Sequence, residues 1–316
     1  MCEGCVDMIE LGPLFRLQFL MFAEMAAGWA LCRTGVLKPQ DRKILSALVV
    51  NLMLPCNIIA AFDMEMSGDL IKQFMTILII SILIQVLCSI VAAHAYNHEQ
   101  PAVKKVLQYA TVCSNSGFLG NAVAECVYGT MGLVLGQIYL IPQRIIMWSA
   151  GISYFTEGTS RKDVILRILK HPCIIAVELG LLRMIFRIPV PMAVNSVLTS
   201  LGRCSTPLIM LFLGMILAET GIGNMITKRN LGFSVIRLVL LPMAVLAGCW
   251  LAHIDPVTAG LSVLLTAMPA GSTTAVLAEQ YNGDTEFAAN CVVLTTLLSI
   301  AVLPLWVILL QKLLGA

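Results

Sequence analysis

Long runs of apolar residues, separated by short polar loops, make up most of the chain. The runs over 70–96, 133–155 and 285–314 each exceed the ~20 residues that a helix needs to cross the hydrocarbon core of a bilayer. They lack the alternation of apolar and polar residues typical of a membrane barrel, so the predicted spans are helices. Ten spans are predicted, at about residues 12–32, 43–62, 71–94, 104–127, 131–156, 172–188, 192–219, 231–252, 256–281 and 286–313.

The longest loop divides the ten predicted spans into five and five. Residues 1–156 form the first predicted repeat, 157–171 a cytoplasmic linker, and 172–316 the second repeat. Because each half has an odd number of spans, the halves would cross the membrane in opposite orientations, as in an inverted repeat. Mid-span prolines at Pro55 and Pro207 also match between the halves. The predicted fold is therefore an all-α membrane protein of two inverted five-helix repeats.

Composition supports a membrane location and argues against several other classes of protein. The chain is 59% hydrophobic and 12% charged, whereas a soluble domain has about 25% charged residues. The lipid bilayer is therefore the predicted surroundings. A formal net charge of +2 is too small to indicate a nucleic-acid partner. The sequence has no nucleotide-binding loop, zinc-protease helix or serine-nucleophile elbow, which disfavours an enzyme.

Basic residues in the predicted loops set the expected orientation, because cytoplasmic loops carry more lysine and arginine. Four lie on one side, namely Lys72, Arg183, Arg187 and Lys312. Twelve lie on the other: Arg33, Lys38, Arg42, Lys43, Lys104, Lys105, Arg161, Lys162, Arg167, Lys170, Lys228 and Arg229. The side with twelve is predicted to be cytoplasmic. We therefore expect a multi-pass protein of the plasma membrane with both termini outside.

A short pattern of small and polar residues occurs twice, in the fourth and ninth predicted spans. The segment 115–120 reads NSGFLG and the segment 269–274 reads PAGSTT. The glycines at 117 and 271 and the glutamates at 125 and 279 share one offset of 154 residues (271 minus 117 and 279 minus 125). Proline, glycine and asparagine all weaken a helix at these points. Two membrane helices interrupted at matching positions indicate a transporter binding site.

The interrupted helices predict a site for an anion. The half-helices that begin near Gly117 and Gly271 would direct free N–H groups and positive dipole ends into a shared cavity. The alternative is a pair of kinked helices packed tightly through small residues. The predicted substrate-binding residues are Asn115, Ser116, Gly117, Asn121, Gln143, Arg144, Pro269, Gly271, Ser272, Thr273 and Thr274.

Charged residues inside the spans are further candidates for function. Arg144, near the middle of the fifth span, could bind a substrate carboxylate through two hydrogen bonds. It could equally form a permanent pair with Glu125 or Glu279. These two glutamates are also the candidates for H⁺ or Na⁺ coupling, although capping or interfacial roles suit their place near the span ends. Arg237 is expected to extend to the membrane surface.

The histidines predict no metal centre. His94 and His98 are four residues apart, which is a spacing used by metal ligands. They stand at a span end with no further ligand cluster nearby, so ordinary interfacial histidines are the preferred interpretation. No cofactor or metal is predicted.

Several motifs together resemble those of the auxin efflux carrier family of membrane transporters, in its bacterial form, along essentially the whole chain. Each motif alone is weak, but their order within ten spans is fairly specific. They are NLMLPCN at 51–57, SNSGFLG at 114–120, the residues Tyr139, Gln143, Trp148, Ser149 and Gly151, MPAG at 268–271, and Tyr281 with Gly283 and Asp284.

This resemblance implies a fold shared with bile-acid sodium symporters, in which helices four and nine cross at their breaks. Spans 1, 2, 6 and 7 would form a scaffold that makes a homodimer, and spans 3–5 and 8–10 a transport domain that moves in an elevator-like, alternating-access cycle. The implied substrates are small organic anions such as auxin and malate. Many relatives have proline where Ala122 stands, and Asn121 is expected to interrupt the helix instead. The alternatives are a sodium-coupled symporter of larger amphipathic anions and a membrane-embedded enzyme.

Overall fold

A computed structural model describes residues 12–62, 71–149, 153–155, 170, 172–220 and 225–314. In these ranges the regular structure is helical, apart from one isolated β-bridge. Three π-helical turns occur, at Val49–Met53, Ser116–Gly120 and Ile236–Leu240. The α-helices are α1 Gly12–Arg33, α2 Asp41–Leu48, α3 Leu54–Ala61, α4 Ile71–Ala95, α5 Pro101–Val112, α6 Asn121–Trp148, α7 Pro172–Phe186, α8 Met192–Arg203, α9 Ser205–Thr220, α10 Lys228–Val235, α11 Leu241–Leu251, α12 Pro256–Thr266, α13 Thr273–Gln280 and α14 Thr285–Leu314.

Five helical stretches in the described part are long and apolar enough to cross a membrane. They carry large apolar side chains on their outer faces, and Ile82 and Trp250, for example, are exposed. Exposed apolar surface of this extent suits contact with lipid rather than water. The prediction of an all-helical membrane protein is confirmed, whereas the ten-span inverted arrangement stays a prediction. The five stretches are Asp41–Ala60, Lys72–Ala95, Met192–Ala218, Lys228–Leu251 and Thr285–Leu314.

The most extensive helix contacts fall into two groups. In the first, α1 packs along α9, and α3 packs against α7 and α8. In the second, α4 packs against α5 and α6, α11 against α12, and α13 against α14. The assignment of these sets to a scaffold and a transport domain stays a prediction. We call these sets the first helix group (α1, α3 and α7–α9) and the second helix group (α4–α6 and α10–α14).

Two glycines allow α1 and α9 to approach closely. A Cβ atom on Gly28 would lie 2.2 Å from the carbonyl oxygen of Leu211, and one on Gly214 would lie 2.0 Å from that of Met25. No side chain fits at either distance, so the two backbones are in direct contact. Small residues at such crossings are the usual means of tight helix packing in membranes.

Prolines account for two of the π-helical turns. Pro55 is the second residue of α3, after the turn Val49–Met53, and Pro242 is the second residue of α11, after Ile236–Leu240. Proline lacks an N–H group and clashes with the carbonyl four residues before it. A π-helical turn inserts one extra residue and so relieves that clash without ending the helix.

The predicted fourth and fifth spans meet at a single glycine rather than in a loop. Gly129, inside α6, has φ of 62° and ψ of −156°, so the helix changes direction there. Glycine adopts a positive φ without steric penalty. The predicted gap between residues 127 and 131 is therefore a one-residue bend.

Candidate functional site

The two interrupted segments cross and hydrogen-bond to each other. The N–H of Asn115 donates to the carbonyl of Pro269, and the N–H of Gly271 donates to the carbonyl of Cys113, each at 2.8 Å. These bonds form an isolated antiparallel bridge between Ser114 and Ala270. Backbone groups that each helix loses at its break are thereby satisfied by the other break, which the apolar surroundings require.

Gln143 holds the first break in place. Its Nε2 donates to the carbonyl oxygen of Ser114 at 2.9 Å, and the Ser114 hydroxyl donates to its Oε1 at 3.0 Å. Both ends of the amide thus bind one residue of the crossing. Gln143 lines the cavity described below, but its observed contacts are structural.

Three further residues that were predicted to bind substrate donate side-chain hydrogen bonds to backbone carbonyls instead. Ser116 Oγ donates to the carbonyl of Leu265 at 2.7 Å, and Thr274 Oγ1 donates to that of Gly271 at 2.6 Å. Asn121, the first residue of α6, donates through Nδ2 to the carbonyl of Gly117 in the preceding π-helical turn at 2.7 Å. With Pro269, these are the predicted residues that do not line the cavity.

A small cavity lies beside the crossing. The space open to the centres of water-sized molecules is about 60 Å³. The predicted residues that line it are Asn115, Gly117, Gln143, Arg144, Gly271, Ser272 and Thr273. The other lining residues were not among the predicted substrate-binding residues, although several belong to the family motifs; they are Leu54, Asn57 and Ile58 of α3, Ser114, and Leu140, Met147 and Trp148 of α6. Of these, Asn57 is the one that the sequence could most readily have indicated, because it is a polar residue in the middle of an apolar span.

Arg144 brings a positive charge to this cavity. The side chain is buried, Nη2 donates to Oε1 of Gln137 at 3.2 Å, and the guanidinium carbon lies 5.6 Å from the centre of the Phe62 ring. Nη1 is buried and has no hydrogen-bond partner among the described residues, and the same is true of Nδ2 of Asn115. Buried donors are rarely left unpaired in native structures. Two such donors at one cavity favour a ligand that accepts hydrogen bonds.

The two candidate glutamates lie away from the cavity. Glu125 is exposed and Glu279 is half-buried, and neither side chain lines the cavity. No ion pair joins either of them to Arg144 in the described part of the chain. Of the two interpretations of Arg144, the permanent pair with a glutamate is therefore not what the structure contains.

Arg237 corrects another expectation. It does not extend to the membrane surface but is buried in the π-helical turn Ile236–Leu240, with 2% of its surface exposed. Nε donates to the carbonyl of Met268 at 3.1 Å, and Nη1 donates to that of Thr111 at 3.0 Å. These carbonyls stand just before the two breaks, so Arg237 holds both arms of the crossing.

Comparison with known proteins shows the class to which this fold and crossing belong. A family described as "Membrane transport protein" matches the chain twice, over residues 16–164 and 158–307. The chain therefore belongs to this family of membrane transporters, and the predicted resemblance to auxin efflux carriers is confirmed. The members are transporters rather than enzymes.

Individual relatives agree with this class. An "Uncharacterized transporter" of Methanothermobacter thermautotrophicus is 26% identical over 284 residues, which cover 88% of this chain and 92% of that protein. Another of Methanocaldococcus jannaschii is 23% identical over 286 residues, or 86% of this chain and 91% of that protein. A "Putative malonate transporter" of Rhizobium meliloti is 24% identical over 210 residues, or 61% of this chain and 63% of that protein.

Proposed function

We propose that this protein is a secondary transporter of small carboxylates. The observation that carries the proposal is the buried Nη1 of Arg144, a cationic donor without a partner in the described structure, at the cavity beside the crossing. A buried charge is unfavourable unless it is paired and hydrogen-bonded. A carboxylate in the cavity would supply both the charge and the acceptor oxygens that Arg144 and Asn115 lack.

The second break adds further attraction for an anion. Ser272 precedes α13, its side chain forms no capping bond to that helix, and it lines the cavity with Thr273. The first N–H groups of a helix have no partner within the helix, and its N-terminus carries about half a positive charge. The anion would thus meet Arg144 from α6 and the positive end of α13 together.

The size of the cavity favours a small substrate. A water molecule needs about 10–15 Å³ of such space, so about 60 Å³ suits an anion as large as a few water molecules. A short mono- or dicarboxylate has this size, whereas a large amphipathic anion does not. The Rhizobium meliloti relative, a "Putative malonate transporter", supports the same substrate class.

The position of the cavity supports an alternating-access mechanism. The crossing and Arg144 belong to the second helix group, and the facing wall of Leu54, Asn57 and Ile58 belongs to the first. We propose that the second group carries the bound anion past the first group, which acts as the scaffold and forms a homodimer. The proposed setting is the plasma membrane, with ten spans in inverted repeats and both termini outside.

Uptake of radiolabelled malonate into proteoliposomes tests the proposal. We expect saturable uptake that unlabelled malonate, succinate and acetate reduce and that choline leaves unchanged, because the site is cationic. Taurocholate, a large amphipathic anion, should compete poorly. Proteoliposomes containing Arg144→Met protein, reconstituted at the same density, serve as the control for leakage. Uptake that is equal in wild-type and Arg144→Met vesicles, or that taurocholate blocks better than malonate, would reject a small-carboxylate site at this cavity.

A further inference from the structure

The two carbonyls that Arg237 binds are ones that the broken helices leave without a partner. In a continuous helix the carbonyl of Thr111 would accept from the N–H of Asn115, but that N–H donates to Pro269 across the crossing. The carbonyl of Met268 lies beyond the end of α12 at Thr266. Carbonyls at a helix C-terminus need an outside donor. Arg237 supplies both donors from one guanidinium.

Arg237 also balances the charge of the crossing. Each helix C-terminus carries about half a negative charge, and α5 and α12 both end at this point. The two ends together amount to about one negative charge, which one guanidinium neutralises. Among the described residues no carboxylate forms an ion pair with Arg237, so the helix ends are its counter-charge. The two negative helix ends therefore face a positive charge that the chain itself supplies.

In transporters with broken helices, freed carbonyls and half-helix C-termini are the groups that coordinate a coupling Na⁺. We propose that Arg237 is a built-in cation at this position, so that the protein binds and transports its anion without Na⁺. The inference rests on the proposed function and extends it to ion coupling. Arg237 does not line the cavity, so it acts as a positioning residue that holds both arms of the site.

The first test measures Na⁺ binding without reference to any substrate. The melting temperature of purified protein in detergent is compared in NaCl, KCl and choline chloride at equal ionic strength. A ligand that binds only the folded state raises the apparent stability, and we expect no rise specific to Na⁺. A saturable, Na⁺-specific rise in the wild-type protein would overturn the proposal. This outcome is independent of whether malonate is transported.

The second test measures uptake of malonate with Na⁺ or choline outside the vesicles. We expect rates within about twofold of each other in wild-type protein, a difference below about 1 kcal/mol, because the proposed transport cycle includes no step that binds Na⁺. Uptake that stops in choline would overturn the inference and leave the proposed function standing. Absence of uptake in both solutions would reject the proposed function, and the melting experiment would still decide the role of Arg237.

Paired variants separate the charge of Arg237 from its bulk. Arg237→Lys keeps the cation, and Arg237→Met keeps most of the volume without charge. Losing two charge-assisted hydrogen bonds should reduce uptake about tenfold or more in the methionine variant, with partial rescue in the lysine variant. The matched controls are Arg229→Lys and Arg229→Met on α10, where the side chain is 44% exposed, and both should retain wild-type uptake. Equal behaviour of the two Arg237 variants would refute the role of the charge.

Discussion

The change from Arg144 to lysine examines the proposed anion contact most directly. Lysine keeps the positive charge but replaces a planar fork by one nitrogen atom. Nη2 donates to Gln137, and Nη1 has no hydrogen-bond partner among the residues that the structure describes. The single ammonium of the lysine variant must therefore serve either Gln137 or the anion, whereas the guanidinium can serve both.

The expected magnitude follows from the contacts that are lost. A hydrogen bond to a charged group contributes about 1.5–3 kcal/mol, and each 1.4 kcal/mol changes an affinity about tenfold. We therefore expect Arg144→Lys to weaken carboxylate binding by about 10-fold and Arg144→Met by about 100-fold. Folding stability should change little, because no carboxylate of the described structure loses an ion pair.

Binding of malonate to purified variants, measured by calorimetry alongside melting temperature, checks both statements. Arg183→Lys is the matched control, because Arg183 of α7 is buried to the same extent, 8% exposed, but does not line the cavity. Equal affinity in wild-type, Arg144→Lys and Arg144→Met proteins would refute the contact.

Breaking a buried ion pair costs about 3–5 kcal/mol. If Arg144→Met lowers the free energy of unfolding by that amount, and adding Glu279→Gln restores it, then Arg144 forms an ion pair with Glu279.

Three other predictions concern packing and topology. Gly271→Ala should lower uptake and melting temperature, because its Cβ would lie 3.0 Å from a backbone carbonyl of the first break, whereas Gly117→Ala should fold normally, because nothing lies within 4 Å. Gly214→Ala should destabilise the detergent-purified protein by about 1–3 kcal/mol or more in unfolding measurements, because α1 must move away from α9. A cysteine introduced at Lys38 should be labelled only from the cytoplasm and one at Arg187 only from outside. Labelling of both from one side would contradict the inverted topology.

The positions of the breaks were predictable from the sequence, but the direction of each side chain was not. Asn115 and Gly271 mark the crossing because glycine, asparagine and proline weaken a helix wherever they occur. Which polar residue faces the cavity depends on the local turn. The π-helical turn Ser116–Gly120 adds a residue to the helical repeat, and Ser116 then faces Leu265 rather than the cavity. An ideal helical period does not anticipate such a shift.

Arg237 shows a second limit of sequence reasoning. Its place near a predicted span end indicated an interfacial side chain, because long basic residues commonly extend to the surface. Its actual partners are backbone carbonyls just before the two breaks, and the amino-acid sequence does not show which carbonyls lack a partner. The sequence shows Asn57 as a polar residue in the middle of an apolar span. Its position beside the crossing, however, depends on how the first helix group packs against the second.

The bridge between the two breaks has a consequence for how the protein is made. The carbonyl of Cys113 and the N–H of Asn115 find their partners only in residues 269 and 271, which are synthesised much later. Until the second half enters the membrane, the first half must keep these polar groups solvated or covered, because unpaired groups in lipid are unfavourable by several kcal/mol each. A first half expressed alone should therefore be held by chaperones or degraded, and co-expression of the second half should rescue it.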